Sequence, residues 1–71
     1  MRYAIVDEKK AAAKGFKSAL HRTRKGRMVL NEREIELSVN LSGSAAERVA
    51  DLGGRMYENA ASTMLALAEI G

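Results

Sequence analysis

Cysteine is absent from this sequence, so neither disulfides nor thiolate metal sites can staple the fold, and its one histidine, His21, cannot build a zinc site without help from carboxylates. A chain of 71 residues buries only roughly 60–65% of the surface it exposes when unfolded, which leaves a thin margin of stability. The fold must rest on apolar packing, completed within the chain or by a second subunit. With 46% hydrophobic and 30% charged residues, the composition is that of a globular domain and not of a disordered tail. One domain is expected over residues 1–71.

Proline is also absent, so element boundaries are read from caps, glycines and periodicity. Residues 2–6, Arg-Tyr-Ala-Ile-Val, predict a strand that ends at the charges of Asp7 and Glu8. Asp7 is placed to cap a helix running to Lys14, with Gly15 just past its end. Phe16 and Leu20 are expected to fold back onto the core. Residues 21–27 are polar, contain Gly26, and predict an exposed loop.

Apolar residues at 35, 37 and 39 alternate with polar ones at 34, 36 and 38, the period of a half-buried strand. With residues 27–30 as the partner strand and Asn31-Glu32 as the turn, a β-hairpin is expected over 27–39. Ser44 and Glu47 spell a capping box for a helix that stops at Gly53-Gly54. Two readings of the remainder stay open. One is an amphipathic helix from Arg55 to Ile70; the other is a short strand at 55–57, then Asn59 capping a helix over 60–70.

The expected fold is therefore α+β: a small antiparallel or mixed sheet made of the N-terminal strand and the hairpin, packed by two or three helices. The capping-box and C-terminal helices are expected on one face. The expected core is Tyr3, Ile5, Phe16, Leu20, Val29, Leu30, Ile35, Leu37, Val39, Leu41, Val49, Leu52, Met56, Met64, Leu67 and Ile70.

Net charge is +3, but it is unevenly spread. Residues 1–27 carry nine Lys/Arg against two acids, net +7, and residues 28–71 carry three against seven, net −4. No acid stands between Lys9 and Arg27. Such asymmetry points to a polyanion or to self-association. Lys14, Lys17, Arg22, Arg24, Lys25 and Arg27 are the candidate nucleic-acid contacts, since cations supply most sequence-independent affinity for phosphates. Against this, only Phe16 interleaves with the cations, which is no stacking platform.

The helices on either side of Gly53-Gly54 suggest a helix-turn-helix, yet the second offers few base-reading side chains and reads better as a core or partner-facing helix. Glu32, Glu34 and Glu36 would share one face of a strand and could hold a hard cation, although such a row is more often the wet side of a hairpin, facing Arg27 or Arg33 across the pair. His21 lies among cations with no positioned partner for general-base work. Ser42-Gly43-Ser44 sits on a helix cap and lacks the context of a nucleophile turn. The glycines form no phosphate-cradling pattern. No catalytic residue, cofactor, metal site or small-molecule substrate is expected, and no family signature emerges.

Met64, Leu65, Leu67 and Ile70 make the C-terminal helix apolar on more than one side, so it must be sandwiched or covered by another chain. These four are the candidate partner interface. The first apolar run, Tyr3–Val6, is too short for a signal peptide. The longest uncharged stretch, Asn59–Ala68, is half of a membrane span. A cytoplasmic protein is expected, acting as a non-catalytic interaction or assembly module through its C-terminal helix, with a protein partner or a second copy. The alternative is a nucleic-acid-binding accessory protein using residues 9–27.

Overall fold

The structure, a computed structural model, describes residues 1–70. Its elements are β1 (Tyr3–Asp7), α1 (Glu8–Ala13), β2 (His21–Arg22), β3 (Arg27–Asn31), α2 (Glu32–Leu37), α3 (Ala45–Asp51), β4 (Arg55–Tyr57) and α4 (Ala60–Ile70). The strands form one sheet in the order β2-β3-β1-β4, with every neighbouring pair antiparallel. The α+β class is as the sequence predicts.

β1 is the hub. It pairs over five positions with β3, Val6 opposite Met28 and Ala4 opposite Leu30, and over three with β4. Because successive side chains of a strand point to opposite faces, β1 divides its apolar residues between two cores. Ala4 and Val6 join Met28, Leu30, Ala11, Ile35, Leu41, Val49 and Leu52 beneath α1, α2 and α3. Ile5 faces the other way, with Val29, and meets Leu67 of α4. The capping-box helix and the C-terminal helix thus lie on opposite faces of the sheet, not on one. A strand apolar on consecutive residues, Ala4-Ile5-Val6, needs cover on both sides.

The helix ends follow from local chemistry. Asp7 accepts a hydrogen bond from the Lys10 amide at the start of α1. At its end, Phe16 N–H donates to Ala11 and Gly15 N–H to Ala12. That is a Schellman ending, with Gly15 at φ +93° taking the left-handed position. α3 opens on the reciprocal Ser44–Glu47 capping box and closes the same way through Gly53 and Gly54. The strand-then-helix reading of the C-terminus is the one realised. Asn59 and Ser62 exchange side-chain hydrogen bonds with each other's backbone amides at the start of α4.

The expected 27–39 hairpin does not form. Residues 27–31 are the strand β3, but Glu32–Leu37 is helix α2. Asn31 ends the strand and caps the helix, its Oδ1 accepting the Glu34 amide at 2.9 Å. Glu32 and Glu34 then lie in a first turn that favours negative charge. Only Ile35 of the alternating trio is buried; Leu37 and Val39 are 68% and 94% exposed. Glu32, Glu34 and Glu36 are consequently spread around a helix instead of lining one face, and Glu32 pairs with Arg2.

The hairpin that does form lies one step earlier, β2 with β3. Its turn is closed by Thr23, which exchanges backbone hydrogen bonds with Arg27 and Gly26 and accepts the Arg27 amide on Oγ1. Residues 21 and 22 are thus strand, not loop. Leu20 and Met64, both expected in the core, are also exposed, at 58% and 62%. Among the described residues no helix is long and apolar enough to cross a membrane.

Candidate functional site

Four strands at a spacing of about 4.8 Å make a sheet roughly 19 Å wide. One helix about 10 Å across cannot cover it, and among the described residues α4 is the only helix on its side. A groove runs along each flank. The β2-side groove, about 270 Å³, is mainly apolar, with Tyr3, Leu20 and Val29 on one wall and Met64 and Leu67 on the other. Further along α4, His21, Arg22 and Arg24 form its rim beside Met64 and Ala68. The β4-side groove is more polar, lined by Arg27, Arg55 and Glu69 with Tyr57 and Ile70.

The four residues expected at a partner interface divide by side. Leu67 is buried at 7% exposure against Ile5 and Val29, and Ile70 is half-buried in the same cluster. Met64 and Leu65 stand outside, at 62% and 70% exposure. Ala61 and Ala68 are exposed with them. Residues 61, 64, 65 and 68 follow the i, i+3, i+4, i+7 spacing of one helical face, so the outer surface of α4 is an uncharged stripe. Ala61 and Ala68 were not among the candidate residues. Their spacing was the available clue, but alanine passes equally for a neutral filler. Thr63, on the inner side, is 3% exposed, and its hydroxyl donates to the Asn59 carbonyl at 2.8 Å, which satisfies it without outside help.

The six candidate cations differ in their surroundings. Arg22 Nε lies 2.9 Å from Glu8, and its Nη2 donates to the Lys17 carbonyl at 2.6 Å. Arg27 lies 3.8 Å from Asp7. Lys14 borders a separate groove with Phe16, Leu37 and Val39, beside α2. Arg24 and Lys25 sit exposed on the β2–β3 turn, and Lys17 is exposed on the segment before it. Interleaving in sequence hid this, because Asp7 and Glu8 precede the basic run but return to it through the β1–β3 ladder.

Among the described residues no three His, Cys, Asp or Glu side chains come together as metal ligands would. No protein-family model, curated protein or solved structure matches the chain. Its function is therefore argued from this geometry.

Proposed function

We propose that the chain is a non-catalytic interaction module that docks a protein partner on the outer face of α4. One observation carries this reading: Met64 and Leu65 are exposed at the centre of a helical face that bears no charge, while the fold's own contacts use the opposite side of the same helix. An uncovered apolar stripe beside an apolar groove marks a contact surface more often than scattered single residues do. Leu20, exposed across the groove, enlarges the surface. Arg22 and Arg24 give it a polar rim, the arrangement of a protein interface with an apolar centre. A cytoplasmic setting fits the cysteine-free sequence. The proposal does not extend to nucleic acid, since Arg22 and Arg27 are already paired with acids and Lys14 lies apart.

A photo-cross-linking residue at position 65, compared with one at exposed Asp51 of α3 on the other side of the sheet, tests the reading in the living cell. A protein adduct of defined mass is expected at 65 and not at 51. Adducts at neither position, or equally at both, would contradict it.

A further inference from the structure

We infer that the groove between α4 and β2 binds a free single-chain amphiphile with an anionic head, of the fatty-acid class. The groove lies on the flank of α4, so this goes beyond the docking role of the helix's outer face. It has two parts, which share His21, Met64 and Leu67 and so form one channel along the helix. The first part, about 270 Å³, is walled by Tyr3, Leu20, Val29, Thr63, Met64 and Leu67. Thr63 brings no unmet polar group to it, because its hydroxyl donates to the Asn59 carbonyl. Leu20 and Met64, on facing walls, stay 58% and 62% exposed. The fold's own side chains leave the gap between them open, and an acyl chain seated there takes apolar surface out of water on both walls.

The second part holds the charge. His21 is paired with Val29, so it stands on the α4 face of the sheet. Arg24, on the β2–β3 turn, lines the same end, is exposed, and has no ion-pair partner among the described residues. Arg22 is engaged by Glu8 and adds no free charge. No acid lines either part, and Glu69, on the last turn of α4, borders the groove on the opposite flank. The carbonyl end of α4 carries about half a negative charge, which the full charge of Arg24 outweighs. An apolar trough with an unpaired guanidinium at one end suits a tail and a carboxylate head. From Ala60 to Ala68 the helix rises about 12 Å. An extended chain gains about 1.2 Å per bond, so about ten carbons span the channel.

An amide NMR titration with sodium decanoate, kept below its micellar range, tests the site. Saturable shifts are expected at Leu20, Val29, Met64 and Leu67, with Arg24 at one end. Octanoate, two methylenes shorter, should bind about four to fifteen times more weakly. Decyltrimethylammonium, the same tail under a cationic head, should bind about fivefold more weakly, and Arg24→Gln should lower decanoate affinity about threefold. Met64→Glu places an acid in the channel and should abolish binding. Leu37→Glu, at an exposed apolar residue on the other side of the sheet, should leave it unchanged. All three positions are exposed, and matching circular dichroism spectra establish that the variants fold. Shifts centred on Leu37 and Val39, or equal affinity for the two head groups, would overturn the site. Binding to anionic phospholipid vesicles without any binding of decanoate would overturn the free chain as ligand.

Discussion

Leu65 and Leu67 stand two positions apart on α4 and face opposite ways. Leu67 is pressed onto Ile5 and Val29 with 7% of its surface left, while Leu65 keeps 70% of its own in water. One leucine belongs to the fold and the other does not. Leu67→Ala should cost about 2–4 kcal/mol, the loss of a buried side chain plus the cavity it leaves. Leu65→Ala, at a concentration that keeps the chain monomeric, should change stability by less than about 0.5 kcal/mol. Urea titration of the two variants checks this, and equal costs would place both residues in the core.

Gly54 is held by the hub strand. A Cβ at this position would lie 2.3 Å from the Ile5 carbonyl oxygen and 2.8 Å from Val6 Cα, both backbone atoms that cannot step aside. Gly54→Ala should cost about 3 kcal/mol or more, because β4 cannot then approach β1. At Gly26 the same added methyl meets nothing within 4 Å, and only the positive φ of +84° resists it. Gly26→Ala should therefore cost about 1–2 kcal/mol. The expected order of melting temperatures is Gly26→Ala above Gly54→Ala.

Arg48 holds α2 in place from a distance. Its Nη1 donates to the carbonyls of Ile35 at 3.0 Å and Ser38 at 2.8 Å, and its Nε donates to Gly43 at 2.9 Å. Arg48→Met keeps most of the aliphatic stem but removes all three hydrogen bonds, at an expected cost of about 2 kcal/mol. Hydrogen exchange should quicken first at the Ser38 and Asn40 amides. Unchanged exchange there would show that the loop is held by other contacts.

The capping box makes α3 sensitive to acid. Glu47 is held below the usual carboxylate range, chiefly by the Ser44 backbone amide it accepts from and then by the Ser44 side chain. A carboxylate with a lowered folded pKa stabilises above its unfolded pKa, and that contribution fades as pH falls through the folded value. Glu47→Gln should be less stable than the unsubstituted chain at pH 7, with the gap closing in acid below the ordinary carboxylate range. Thermal melts across pH 2–7 read it; a gap that widens in acid would contradict the assignment.

Features set within a few residues were legible in the sequence. Asp7 with Gly15, Ser44 with Glu47, and Gly53 act through hydrogen bonds no longer than one helical turn, and each stands where its pattern predicts. The stretch from Glu34 to Val39 was misleading because its alternation mimics a strand, while the deciding groups lie elsewhere. Asn31 caps the helix, and Arg48, thirteen residues beyond Ile35, donates to the carbonyls at its end. β2 has only two residues and no composition of its own; β3 creates it by pairing. At the candidate interface the helix was legible but its orientation was not. Which of Met64, Leu65, Leu67 and Ile70 turns inward depends on Ile5 and Val29, which come from two distant strands.

Sedimentation equilibrium of the unsubstituted chain beside Leu65→Glu tests most directly whether the exposed face of α4 receives a second copy. An apolar α4 face that receives a second copy predicts an average mass rising from 7.7 kDa toward twice that value as concentration increases, while Leu65→Glu stays monomeric with an unchanged melting temperature in dilute solution. Two chains that both remain monomeric into the millimolar range, or that associate equally well, would contradict it.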